Sequence, residues 1–238
     1  MTLRNLLLTA ASSWGLTLSE VQLEQFERYA AELSRWNKER ANLTTITEPH
    51  EIGVRHFLDS LSLAQVWPAE PPESLADIGT GAGFPGLPLK LLWPDMRLLL
   101  VESVGKKTEF LSHMVEVLQL RDVEIRTSRA EELGHDPRYR EQFSAVTARA
   151  VSTLNVLAEY CLPLCRIGGV FVAPKSAAGE GETHAAQRAI ELLGGELRPS
   201  IPVQLPGVEP RMLVVVHKMQ PTPTQYPRRI GIPAKRPL

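Results

Sequence analysis

Residues 75–86 constrain this chain more than any other stretch, because Leu75-Ala76-Asp77-Ile78 runs directly into Gly79-Thr80-Gly81-Ala82-Gly83-Phe84-Pro85-Gly86. The pattern predicts a short buried strand that turns through glycines into a helix. Glycines let the backbone take positive φ and come close to a ligand, and the N–H groups that open the next helix lack intrahelical partners. A second acidic residue, Glu102, closes the next apolar run, 96–101. A βαβ unit at that spacing returns the end of its second strand beside the first, where a carboxylate can accept from ribose hydroxyls.

Gly81-x-Gly83-x-x-Gly86 formally matches a dinucleotide fingerprint, but the strand-to-helix crossing falls at Gly79 to Gly83. The frame that matters is Asp77-x-Gly79-x-Gly81-x-Gly83. A carboxylate at the mouth of the strand repels a pyrophosphate and suits the ammonium and sulfonium of S-adenosyl-L-methionine. Pro85 also removes an N–H that a phosphate would use. The expected cofactor is therefore S-adenosyl-L-methionine rather than NAD or FAD, with a tight structural turn as the plainest alternative.

Before the turn the pattern is helical. Ser19 can cap a helix in which Val21, Phe26, Tyr29, Leu33 and Trp36 recur at roughly helical spacing, ending near Ala41. A second amphipathic segment, 49–67, is stopped by Pro68, Pro71 and Pro72. It carries His56 and Asp59 on one face; a local polar contact, or a cap on Asn42-Leu43-Thr44, accounts for them better than a catalytic pair. After the turn, helices at 86–92, 106–118, 154–161 and 183–193 alternate with strands at 123–127, 143–148 and 169–173, and a hairpin follows near 201–205 and 212–217. This alternation predicts an α/β fold, the Rossmann-like class I methyltransferase layout: a seven-stranded, mostly parallel sheet covered on both faces, with one antiparallel strand and an N-terminal helical extension. The expected divisions are a helical extension packed on the catalytic domain (1–72), a cofactor-binding domain (73–220) and a basic Pro-rich tail (221–238).

The 238 residues suffice for a substantial core, and no apolar run approaches the length of a membrane span. The amino terminus lacks the marks of a signal peptide, so a cytoplasmic protein is expected. Cys161 and Cys165 lie four apart, expected on one helix face as buried reduced thiols, with no further Cys to complete a zinc site and no metal expected. Overall charge is close to zero, but from Arg211 onward the chain holds Arg211, Lys218, Arg228, Arg229, Lys235 and Arg236 and no acid. Five prolines after residue 220 predict that this cationic tail runs extended over the surface.

Polar residues fall at the predicted strand ends. Arg129-Ala130-Glu131-Glu132 follows the third strand, where it can meet an adenine edge; Arg149 follows the fourth and Lys175 the fifth. Arg149 and Lys175 together suggest a patch for a polyanion. The fourth-strand loop has no Asp or Asn before a Pro-Pro-aromatic run, as exocyclic-amine methylation uses, and no Cys nucleophile for cytosine C5. A guanine N7 carries its own lone pair and needs only positioning for in-line methyl transfer.

These residues resemble the bacterial 16S rRNA 7-methylguanosine methyltransferase family (RsmG, also called GidB) along nearly the whole chain. The resemblance rests on Asn42-Leu43-Thr44, His56-x-x-Asp59-Ser60-Leu61, Asp77 through Pro88, Glu102-Ser103 with Lys106-Lys107, Arg129-Ala130-Glu131, Ala148-Arg149-Ala150 and the tail Tyr226-Pro227-Arg228 to Leu238. It implies N7 methylation of one guanine in 16S rRNA with S-adenosyl-L-methionine as donor; the expected partner is 16S rRNA in a 30S particle, with naked rRNA left open. It also implies that Asp77, Gly79, Gly81 and Phe84 line the methionine end of the cofactor, Glu102 its ribose, and Ala130 and Glu131 its adenine. Arg149 is then expected at the methyl-transfer face, contacting cofactor and substrate, and Lys175, Arg228, Arg229 and Lys235 near RNA. The rival readings are a non-catalytic RNA-binding ribosome-assembly factor and an NAD-dependent oxidoreductase.

Overall fold

The computed structural model describes residues 2–177 and 180–238. Two helices come first, α1 (Leu3–Ser13) and α2 (Glu20–Glu39). Ser19 caps α2 in a reciprocal capping box with Gln22. The buried stripe of α2 is Leu23, Phe26, Tyr29, Leu33 and Trp36, whereas Val21, expected on that stripe, is 65% exposed. Five residues before Phe26, it sits about 140° round the helix from that residue and faces water. The segment expected as one helix over 49–67 changes its winding along its length. It begins as α3 (Pro49–Ile52), widens to π-helical winding at Gly53–Leu58, resumes as α4 (Asp59–Leu61) and tightens to 3₁₀ at Ser62–Val66.

Among the described residues, β1 (Ser74–Ile78), β2 (Arg97–Glu102), β3 (Val123–Thr127), β4 (Phe143–Ala148), β5 (Cys165–Ser176), β6 (Gly195–Val203) and β7 (Arg211–Lys218) form one sheet in the order β3-β2-β1-β4-β5-β7-β6. The β1, β2, β3, β4 and β5 pairings are parallel, and β7 lies antiparallel between β5 and β6. Strand alternation feeds two cores. Leu75, Leu98, Leu100, Ala145 and Leu213 face a core shared with α1, α2, α5 (Gly86–Leu92) and α6 (Gly105–Val117). Ala76, Leu99, Val146 and Val214 face the other core, with α7 (Ala130–Leu133), α8 (Leu154–Cys161) and α9 (Glu180–Leu192). The N-terminal helices thus join the main core.

Two expectations are corrected. Cys161 ends α8 and Cys165 opens β5, so they do not share a helix face; both are buried. The tail is not wholly extended: α10 (Ile232–Lys235) makes one turn, with Pro233 in its first turn, where a missing N–H costs nothing.

Candidate functional site: the crevice between β1 and β4

Strand order reverses between β1 and β4, which is where open parallel sheets bind ligands. Ile78 pairs with Ala148, so Gly79 and Arg149 leave the sheet side by side. Gly79, Gly81 and Gly83 have φ of +67°, +61° and +97°. A β-carbon on Gly79 would lie 2.6 Å from Val151, and one on Gly83 2.6 Å from the Tyr29 hydroxyl; one on Gly81 meets nothing within 4 Å. Two positions are thus glycine for close packing, and Gly81 faces open space that a side chain would fill.

Two acids hold this loop. Asp77 is fully buried: Oδ2 accepts from the Thr80 hydroxyl at 2.6 Å and the Gly86 N–H at 2.8 Å, while Oδ1 has no partner. Burial pushes its pKa up to about 6, with those hydrogen bonds opposing. Asp77 borders neither cavity described below and acts on the loop from within. Glu102 accepts from Gly81 N–H at 3.1 Å and Val104 N–H at 2.9 Å, and does border a cavity.

That cavity, of about 390 Å³, lies over the ends of β1 and β2 and is lined by Glu102, Ser103, Ala130, Glu131 and Tyr160 among others. A second, of about 310 Å³, is lined by Thr44, His56, Asp59, Phe84, Arg149 and Arg211 among others. Gly79 and Ala150 border both. The expected cofactor residues Gly79, Glu102, Ala130 and Glu131 therefore meet in the first cavity, and Gly79, Gly81, Phe84 and Arg149 in the second.

Phe84 is the floor of the second cavity. Its ring stacks on Tyr29 (5.1 Å, 3°) and on His56 (4.4 Å, 13°), and the Arg149 guanidinium sits 5.3 Å from its centre. Arg149 Nη1 donates to Asp59 Oδ2 at 2.9 Å and to the Arg55 carbonyl at 3.0 Å; Nη2 donates to His56 Nδ1 at 3.3 Å. Since Nδ1 accepts, His56 Nε2–H donates to the Thr44 hydroxyl at 2.9 Å, which is the neutral ring. Burial, then the Arg149 charge, lowers the His56 pKa to about 3. Arg211 Nε lies 2.7 Å from Asp59 Oδ1, close enough for an ion pair but off-line for a hydrogen bond. Asp59, 3% exposed, thus holds two arginines.

Sequence reasoning gave His56 and Asp59 only a local polar contact or a cap on Asn42-Leu43-Thr44, which the His56–Thr44 hydrogen bond matches, and counted Arg211 only among tail cations; it missed the pairing of Asp59 with both arginines. The legible signal was an acid set among apolar residues in a helical segment and an arginine at the first residue of an apolar strand.

Two residues expected near RNA have protein partners. Lys175 donates to Glu182 and to the Ser152 carbonyl, at 2.8 and 2.9 Å, and borders neither cavity. Arg228 donates through its backbone N–H, Nε and Nη2 to Glu159, which is completely buried and needs a paired cation. Arg229 and Lys235 are exposed.

Sheet order, the glycine loop and the crevice at the switch point define a class I methyltransferase. Thermus thermophilus TrmN superposes with a TM-score of 0.52 at 19% identity, covering 68% of this chain and 48% of that one. M. jannaschii TYW2, solved in complex with AdoMet, gives 0.51 at 12% identity, covering 66% and 74%. At such identities the likeness is one of fold. The profile of the GidB family, described as rRNA small subunit methyltransferase G, matches residues 22–204. Ribosomal RNA small subunit methyltransferase G of Roseiflexus castenholzii is 58% identical over 232 residues, 98% of each chain. The chain belongs to the rRNA small subunit methyltransferase G family.

Proposed function

We propose that this chain transfers a methyl group from S-adenosyl-L-methionine to N7 of one guanine in 16S rRNA, with the 30S particle as substrate. Family membership supports the substrate class and the donor. The observation that carries the choice of atom is the state of the groups around the second cavity. His56 is neutral with both ring nitrogens engaged, and Asp59 is ion-paired through both oxygens. Cys161 is buried, and burial raises its thiol pKa well above the usual value. Among the described residues lining that cavity, no free carboxylate or imidazole stands ready to take a proton. A guanine N7 has none to give, so positioning suffices.

The donor set fits the cofactor. Gly81 opens onto space that a β-carbon would occupy, Glu102 borders the cavity with a buried carboxylate suited to ribose hydroxyls, and Ala130 and Glu131 border the side suited to adenine. Bound there, S-adenosyl-L-methionine supplies an electrophilic methyl on sulfonium. Arg149 then holds the substrate: its guanidinium, fixed by Asp59 and carried beside the Phe84 ring, which is itself stacked between protein rings, takes an acceptor on base or phosphate. Arg229, Lys235 and Arg211 supply charge for the RNA backbone.

The test supplies labelled methyl donor with 30S subunits, or naked 16S rRNA, from a strain lacking the modification, followed by mapping of the modified base. Label at one guanine, cleavable by chemistry specific for N7-methylguanine and stronger on the particle, is expected. Label on an exocyclic nitrogen would overturn the choice of atom. Cofactor binding without turnover on either substrate would favour the assembly-factor reading.

A further inference from the structure

The carboxyl-terminal segment, largely exposed, touches the cavity over β1 and β2 on one side. Gly231 N–H donates to Glu131 Oε1 at 2.9 Å, and Glu131, 5% exposed, borders the cavity assigned to adenosine. Ala234, on α10, borders the same cavity, facing the set that includes Glu102, Ala130 and Tyr160. Gly231 has φ +78°, so the chain turns sharply there to bring its N–H onto the carboxylate.

Both flanks of this stretch are anchored by contacts that do not involve the cavity. Upstream, the Arg140 guanidinium donates to the Thr222 and Tyr226 carbonyls at 2.6 and 2.9 Å, and His135 Nε2–H donates to the Pro227 carbonyl at 2.6 Å. The Arg228–Glu159 pair lies alongside. Downstream, Asn155 donates to the Leu238 carbonyl at 3.0 Å. Residues 229–235 are therefore a strap stretched between two fixed points, with one side on the cavity and exposed cations, Arg229 and Lys235, on the other.

We infer that this strap is the closing wall of the adenosine cavity, with Gly231 N–H setting the orientation of the Glu131 carboxylate, so that cofactor occupancy stabilises the strap. The inference rests on the reading of this cavity as the adenosyl site. Its consequence is a link between two ligands: the same seven residues bear on the cofactor inside and, through Arg229 and Lys235, on RNA outside.

Hydrogen–deuterium exchange on the intact wild-type chain tests this. S-adenosylhomocysteine and 5′-methylthioadenosine, which lacks the amino-acid half, are added at saturation established by calorimetry. Both are expected to slow exchange of the amides of residues 229–235 by at least about fivefold, because a wall must open for its amides to exchange. Ligand-saturated protein with unchanged exchange in this stretch overturns the inference while leaving the proposed function standing. Protection by rRNA alone, and by neither nucleoside, overturns it too, making the strap purely an RNA element. Failure of either nucleoside to bind at all removes the cofactor reading and the inference together.

Discussion

Asp59 Oδ2 receives Arg149 at 2.9 Å while Asp59 Oδ1 lies 2.7 Å from Arg211, so one buried carboxylate fixes two guanidiniums on the wall of the cavity beside the glycine loop. The three residues come from a helical segment, the loop after β4 and the start of β7. Arg149 is also held over Phe84, and its fork is the part that a lysine cannot copy. Arg149→Ala should fold normally and lose at least about 100-fold in methyl transfer, the scale at which loss of one preorganised donor acts. Arg149→Lys should recover little. Asp59→Asn should raise KM for rRNA more than it lowers kcat, since both arginines remain but lose their fixed geometry. Full turnover by a folded Arg149→Ala enzyme would reduce the residue to a surface charge.

Gly81→Val should abolish cofactor binding while leaving a folded protein. A β-carbon there meets no protein atom, so the stability cost is confined to the left-handed φ, about 1–2 kcal/mol. The branched side chain instead takes space that the ligand needs. Calorimetry with S-adenosylhomocysteine checks this, and retained binding would move the cofactor away from the loop.

The cations of the tail divide by partner. Arg228→Ala leaves Glu159 charged and buried without its cation, and should lower stability in denaturant titration by about 3 kcal/mol. The double variant Arg229→Ala/Lys235→Ala should leave stability unchanged and make the slope of log affinity for rRNA against log salt shallower by about 1.4–1.8. Equal stability losses in the two variants, with an unaltered salt slope, would contradict this division.

Two buried groups give the protein opposed responses to pH. Unfolded, His56 takes up a proton near pH 6.5; folded, burial and Arg149 withhold it down to about 3. Its stabilising contribution is present above pH 6.5 and is lost as pH falls toward 3. Asp77 runs the other way. Its folded pKa of about 6 lies above the usual 3.8, so its contribution is greatest below 3.8 and falls as pH rises to 6, then stays level. His56→Gln should make the acid-side loss of stability shallower between pH 6.5 and 3, and Asp77→Asn should make it steeper above pH 3.8. Chemical denaturation across a pH series measures both; identical profiles for wild type and variants would show that neither group titrates as its burial dictates.

The sheet was legible because strand and helix periodicities alternate cleanly, and the glycine loop because few other uses exist for glycines at that spacing. Arg149 was legible from strand counting alone. What sequence could not supply was pairing across the chain. Arg228 and Lys175 read as free cations because their partners, Glu159 and Glu182, face them only after helices pack on the sheet. Arg211 and Asp59 lie far apart in sequence, and no local pattern joins them. The winding change at Gly53–Leu58 is likewise tertiary: a β-carbon on Gly53 would come within 2.7 Å of Leu6 in α1.

Tyr29 makes the N-terminal helices part of the crevice's support. Its hydroxyl donates to the Ala82 carbonyl, and its ring stacks on Phe84, so α2 is tied directly to the glycine loop. Swinging the N-terminal helices aside would strip a fully buried hydroxyl of its acceptor and take the floor of the crevice with it. Elsewhere that cavity is lined by the Leu43–Ile46 loop and by the β6–β7 turn that carries Leu205 and Val208. Arg211 ties that turn to Arg149 through Asp59, so the cavity is held by ring stacking at Phe84 and by paired charges at Arg149.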